Sequence, residues 1–160
     1  MKLPLRAAGA ALSLMLCAAA PAETVGSVDT AFKLLGPDHK VVVEVFDDPR
    51  VAGVSCYLSR ARTGGIKGAI GLAEDKAESS VACRQVGALS FNGPLPLQEE
   101  VFSERASIFF KHVRVVRMVD VKRNALVYLV YSDRLIDGSP KNSVTAVAVP
   151  ANQPVPTRRK

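Results

Sequence analysis

The stretch "KVVVEVF", residues 40–46, decides the fold class, because it contains four valines, one phenylalanine and a single acidic residue. β-Branched and aromatic residues are enriched in strands. A near-continuous apolar run of this length is typical of a strand buried on both faces. The preceding "GPDHK", residues 36–40, is a turn signal. We therefore predict a turn followed by a buried strand.

Further strand patterns lie downstream. "VSCYLSRA" alternates, which places Val54, Cys56 and Leu58 on one face. Strands are also predicted for "VACRQVGAL", "ASIFFKHVRVVRMVDV", "ALVYLVYSD" and "SVTAVAV", and the alternation slips at Val115–Val116, which indicates a bulge or a curved sheet. The one clear helix candidate is "LAEDKAESSVA", residues 72–82, with acidic residues in its first turn. We predict a mainly-β, single antiparallel domain with one short helix, and the pattern leaves sandwich and barrel open.

The N-terminus has the features of a secretory signal. A basic start (Lys2, Arg6), an apolar stretch of about ten residues and an A-x-A site at Ala20–Ala22 predict cleavage before Glu23. Leu16 precedes Cys17, where lipoprotein processing needs a small residue, so we do not expect lipid anchoring. No later apolar run approaches the roughly 20 residues of a membrane-spanning helix. We therefore expect a periplasmic protein with a signal peptide at residues 1–22 and a domain at 23–149.

Charge and cysteine content follow from that cleavage. The mature chain has nineteen basic and fifteen acidic residues, and three of the basic ones form the terminal "RRK". The domain is therefore nearly neutral, and nucleic acid is not an expected partner. Proline-rich residues 150–160 are predicted to be a disordered basic tail.

Cys56 and Cys83 are the two cysteines that remain after cleavage. In an oxidising compartment such a pair predicts a disulfide. The two cysteines lack the C-x-x-C spacing of a redox-active pair.

The glycine-rich stretch "TGGIKGAIGLAED", residues 63–75, does not fit a known phosphate motif. Lys67 precedes Gly68 and no hydroxyl residue follows, in contrast to a P-loop. Gly65, Gly68 and Gly71 are spaced G-x-x-G-x-x-G, which is not the dinucleotide fingerprint. We predict a connecting loop whose glycines supply positive φ. Anion binding by Lys67 and the loop amides is the alternative.

The titratable residues give no compact catalytic or metal motif. His112, Asp133 and a serine are the elements of a dispersed hydrolase site, but the sequence fixes no geometry for them. Asp38, His39, Asp47 and Asp48 lack the spacing of a calcium or zinc site. We expect no metal and no cofactor.

Basic residues concentrate between positions 105 and 123. This basic cluster is Arg105, Lys111, Arg114, Arg117, Lys122 and Arg123. It is predicted to be a solvated sheet face and turn. The alternative is a patch for an anionic partner, either an envelope component or an acidic protein surface. The candidate anion-binding residues are Arg114, Arg117, Lys122 and Arg123 of this cluster together with Lys67 of the glycine-rich stretch.

Several phrases together resemble one family. "GSVDTAFKLLGPDHKVVVEVFDDP", "CYLSRARTGGIKGAIGLAED", "CRQVG", "KRNALVYLVYSD" and "DGSPKNS" are similar to the CreA family of Gram-negative periplasmic proteins, from Val25 to about Val149. The resemblance implies a signal peptide, a periplasmic location and the Cys56–Cys83 pair. It implies no catalytic residues. We expect a non-enzymatic binding or accessory domain, with an envelope binder using the basic cluster and an enzyme built around His112 as alternatives.

Overall fold

The structure is a computed structural model that describes residues 21–32, 34–65, 79–105, 112–133 and 140–158. Within these residues the chain forms ten strands. The strands are β1 (Glu23–Ala31), β2 (His39–Asp47), β3 (Val51–Arg62), β4 (Ser79–Phe91), β5 (Leu95–Pro96), β6 (Gln98–Arg105), β7 (His112–Asp120), β8 (Ala125–Ser132), β9 (Asn142–Ala148) and β10 (Thr157–Arg158). Within the described part of the chain, antiparallel strands dominate, which confirms the predicted mainly-β class.

Two four-stranded antiparallel sheets hold almost all of these strands. Their orders are β1-β2-β3-β4 and β6-β7-β8-β9, and the short β5 and β10 form a separate parallel pair. Both sheets contribute to one hydrophobic core, where Phe46 of β2 stacks on Phe102 of β6 with ring centroids 4.4 Å apart. At one side, the Val81 amide of β4 donates to Ser143 Oγ of β9. The architecture is therefore two sheets packed face to face around a common core.

The buried faces follow the alternation of the sequence. Val54, Cys56 and Leu58 are all buried, as their spacing predicted. Cys56 lies directly opposite Cys83 on the neighbouring β4, and the two sulfur atoms form a disulfide. The bond thus links two adjacent strands of one sheet.

Three details of the sequence prediction need correction. The predicted helix ends in a strand, because Ser79–Ala82 lie in β4, while residues 72–78 are outside the described part. The irregularity expected at Val115–Val116 lies on the partner strand, where β6 has one extra residue between Glu100 and Phe102. The run at 40–46 is buried on one face only, because Val41 is 36% exposed.

The predicted disordered tail is also wrong for residues 150–158. Val155 is buried in the core, and Thr157–Arg158 pair with Leu95–Pro96. Asn124, in the turn after β7, accepts a hydrogen bond from the Val155 amide and donates to the Gln153 carbonyl. Prolines that exclude a long ladder still permit an extended segment held by side-chain hydrogen bonds.

Candidate functional site

The turn between β2 and β3 is organised around one buried carboxylate, that of Asp48. Its Oδ1 accepts hydrogen bonds from the backbone amides of Arg50, at 2.8 Å, and Val51, at 3.1 Å. Aspartate side chains stabilise turns in this way. The Asp48 side chain is completely buried, so its charge needs compensation from within the protein.

Arg117 of β7 supplies that compensation. Its Nη1 lies 2.6 and 2.8 Å from the two Asp48 carboxylate oxygens, and its Nη2 donates to Glu99. The Tyr128 hydroxyl of β8 donates to Asp48 Oδ2 at 2.8 Å. Among the described residues, Arg117 Nε is buried and has no hydrogen-bond partner. We name Asp48, Arg117 and Tyr128 the core triad; it joins the two sheets.

The core triad changes the acidity of its tyrosine. Burial raises the pKa of the Tyr128 hydroxyl far above its ordinary value, and the adjacent Asp48 charge raises it further. A phenolate there would be desolvated and would face a carboxylate, so the proton stays on the tyrosine. Tyr128 therefore acts as a hydrogen-bond donor and not as an anion.

An open cavity of about 630 Å³ lies beside this turn. Its lining mixes polar and apolar side chains: Asp47, Asp48, Pro49, Arg50, Ala52, Gly53, Ser55, Val86, Ser90, Phe91 and Asn92. Arg50 is fixed there because its Nη2 donates to the carbonyls of Asn92 and Pro94. Ser55 donates to the Asp47 carboxylate at 2.5 Å. The cavity wall is thus held in place by hydrogen bonds, a property of pre-formed binding sites.

A second group of charges joins β2, β3 and β6. Arg60, whose side chain is 4% exposed, contacts Glu44 and lies 2.6 Å from Glu104. Arg62 lies 3.3 Å from the other Glu44 oxygen. A smaller cavity of about 340 Å³ is lined in part by Arg60 and Ser79. Because two arginines meet two glutamates, this cluster carries no net charge.

The start of the glycine-rich stretch packs tightly against the β1–β2 turn. Gly65 has a φ of +81°, and its amide donates to the Pro37 carbonyl at 2.6 Å. A Cβ atom on Gly64 would lie 2.1 Å from that carbonyl oxygen, and the Gly64 amide donates to His39 Nδ1 at 2.9 Å. The positive φ predicted at Gly65 is therefore present. Lys67, Gly68 and Gly71 lie outside the described residues.

The structure does not assemble the described members of the predicted basic cluster into one patch, and Lys111 lies outside the described residues. The prediction of a solvated Arg117 is wrong, since its side chain is fully buried in the core triad. Arg114 donates to Glu100 and Asp133, each at 2.7 Å, and these hydrogen bonds raise its pKa. Arg123 pairs with Asp120 and lowers the pKa of that carboxyl. Lys122 and Arg123 lie in the exposed β7–β8 turn, at the opposite end of β7 from Arg114.

His112 and Asp133, the two named residues of the dispersed hydrolase hypothesis, make structural contacts. The Asp133 amide donates to the His112 carbonyl, and the Asp133 carboxylate accepts from Arg114.

Within the described ranges no group of three or more potential metal ligands comes together. Over the same ranges, no helix has the length and apolar character needed to cross a membrane.

The fold and the site together define a small two-sheet β domain with a charged pair in its core. The chain belongs to the CreA family: the family model described as "CreA protein" matches residues 25–152. Protein CreA of Escherichia coli strain K12 is 54% identical over 140 residues, which is 85% of this chain and 89% of that protein. Protein CreA of Escherichia coli O157:H7 has the same identity and coverage. No solved structure matches the chain.

Proposed function

We propose that this CreA family member is a non-enzymatic periplasmic binding domain that holds its ligand or partner at the cavity beside the β2–β3 turn. One observation carries the proposal: the cavity wall is rigidly built. Asp48 is held by two backbone amides, Arg117 and Tyr128, and Arg50 by two carbonyls. A wall that is fixed before binding lowers the entropic cost of association.

The lining indicates the chemistry of the ligand. Phe91 and Val86 offer apolar surface, while Asn92 and Asp47 offer hydrogen-bonding groups. A small molecule or peptide end with one apolar and one polar part is the class that fits such a mixed wall. Binding is favoured over catalysis because Asp48 is buried and paired with Arg117, and Asp133 is paired with Arg114, so both carboxylates are engaged in contacts within the protein.

Ligand screening by thermal shift tests this proposal. A ligand of the cavity raises the melting temperature, and the shift increases with the logarithm of the ligand concentration above its dissociation constant. We expect Asn92→Ala to reduce that shift, and the exposed Val144→Ser, which is outside the cavity lining, to leave it unchanged. A ligand whose shift is the same in both variants binds elsewhere and contradicts the proposal.

Among the described residues of the basic cluster, the most exposed ones for the envelope-binding alternative lie in the β7–β8 turn. Lys122 and Arg123 are exposed, and Arg123 has 72% of its side chain accessible. The test is a lipopolysaccharide pull-down at low salt. Retention of the wild type together with loss of retention in Lys122→Gln/Arg123→Gln favours this alternative. Such binding must fall with added salt, because exposed charges are screened over about 8 Å at physiological ionic strength.

A further inference from the structure

The turn between β1 and β2 exposes an unusual concentration of apolar side chains. Phe32 is 80% exposed, Leu34 is 88% exposed and Leu35 is 68% exposed. Isolated apolar residues are common on protein surfaces, whereas contiguous ones mark an interaction site. We call Phe32, Leu34 and Leu35 the apolar tip.

The apolar tip follows an exposed edge strand. β1 is the outer strand of its sheet, and every one of its residues is exposed. The base of the turn is nevertheless fixed, because the Gly65 amide donates to the Pro37 carbonyl and the Gly64 amide to His39 Nδ1. Three large side chains are thus exposed next to a turn whose base is held by hydrogen bonds.

We propose that the apolar tip inserts into the interfacial region of a lipid bilayer. Phe32, Leu34 and Leu35 are exposed over most of their surface, so they can enter a bilayer, which offers apolar surroundings without a complementary pocket. Thr30 and His39 flank the tip, so their polar groups lie at the depth of the lipid headgroups. Proteins that bind a membrane surface bury apolar side chains at the boundary between headgroups and acyl chains in this way.

The charge balance around the apolar tip determines how this binding responds to salt. Asp29, Lys33, Asp38 and Lys40 surround it in the sequence and sum to zero. The tip therefore neither attracts nor repels an anionic surface, and burial of apolar area drives the insertion. Binding is expected to be insensitive to salt and to lipid charge, in contrast to binding by the basic cluster.

Vesicle sedimentation tests the proposal with the purified chain after its N-terminus has been determined by intact mass. We expect equal binding to vesicles of phosphatidylcholine and of phosphatidylcholine with phosphatidylglycerol, unchanged by salt. Each leucine-to-serine change at positions 34 and 35 is expected to weaken binding about tenfold, since burial of a leucine is worth at least that factor. Val121→Ser and Val144→Ser, whose side chains are 62% and 64% exposed, are the matched controls.

A fluorescent reporter measures insertion directly. The chain contains no tryptophan, so Phe32→Trp introduces a single one at the apolar tip. Addition of vesicles should shift its emission to the blue and shield it from aqueous quenchers. An unshifted emission overturns the proposal. Binding that requires anionic lipid and disappears in salt also overturns it, as does self-association lost in Leu34→Ser/Leu35→Ser without any vesicle binding.

Discussion

Asp48 shows how a single residue can depend on a distant one. Its carboxylate is buried in the core, and the arginine that neutralises it is 69 positions away in the sequence. The desolvation of two charges is costly, so such a pair gives little net stability compared with apolar residues, but loss of one partner leaves an uncompensated charge. Replacement of Arg117 is therefore expected to lower stability by far more than the net stability that the ion pair contributes.

Replacement of Arg117 by methionine is expected to destabilise the protein by about 3–5 kcal/mol, because the Asp48 charge stays buried without its partner. Arg114→Gln is the matched control on the same strand. Arg114 is one-third exposed, so its ion pairs are expected to contribute about 0–1 kcal/mol. Urea unfolding of the two variants measures both values. Equal free energies of unfolding for Arg117→Met and the wild type contradict the account of the core triad.

Tyr128 is expected to make stability fall at alkaline pH. Its pKa is higher in the folded than in the unfolded protein, so its contribution is complete below the ordinary tyrosine pKa of about 10 and is lost as the pH rises above it. Ultraviolet titration of the native protein should therefore show one tyrosine that ionises only on unfolding. In Tyr128→Phe this delayed ionisation should be absent, and stability should be lower by about 1.5–3 kcal/mol because a hydrogen bond to a charged group is lost.

At the scale of single elements, the strands were predictable, whereas the burial of two arginines was not predicted although the alternation contained a signal for it. Alternation along β7 places Arg117 in phase with Val113 and Val115, and on β3 it places Arg60 in phase with Leu58. The period therefore indicated that both arginines face the core. A sequence alone assigns lone charges to solvent because burial without a partner is prohibitive, and the partners become visible only in three dimensions.

The remaining errors also have physical causes. Ser79–Ala82 carry no strong preference for helix or strand, and pairing with β3 decides their conformation. Residues 150–158 have the composition of a disordered tail, but Asn124 anchors them and Val155 reaches the core. In both segments, tertiary contacts override the local signal.

Gly64 is expected to be the residue of the glycine-rich stretch that tolerates substitution least. An added Cβ would lie 2.1 Å from the Pro37 carbonyl oxygen, so Gly64→Ala must displace backbone. Gly65→Ala adds the strain of a positive φ and should cost about 1 kcal/mol. Gly26→Ala is the control, because its Cβ would meet no atom within 4 Å. Thermal melts of the three variants should rank them in this order, and an unaltered Gly64→Ala would be contrary to the described packing.

At the scale of the whole molecule, stability depends on one core and one covalent link. The core draws apolar residues from both sheets, so neither sheet is expected to fold without the other. The Cys56–Cys83 bond adds a constraint on the unfolded chain by closing a loop of 27 residues. This link is expected to matter more than any single surface contact.

Removal of the disulfide by Cys56→Ala/Cys83→Ala should lower stability by about 3–4 kcal/mol on the chain-entropy model. Guanidinium unfolding of oxidised wild type and double variant measures the difference. An indistinguishable midpoint would show that the bond does not stabilise the fold.

We predict export with cleavage before Glu23 and no free thiol in the product. Cleavage at that position would remove Cys17, and the two other cysteines are joined. Intact mass together with thiol titration under denaturing conditions checks both points. Two reactive thiols, or an acyl group on Cys17, would refute the respective expectation.

The disulfide between β3 and β4 also keeps the chain covalently joined after a cut between these strands. Both ends of the connection from Arg62 to Ser79 belong to strands that are bonded to each other through sulfur. Hydrolysis of a peptide bond in that connection therefore leaves one covalent molecule with two extra termini, which separates into two fragments only under reduction.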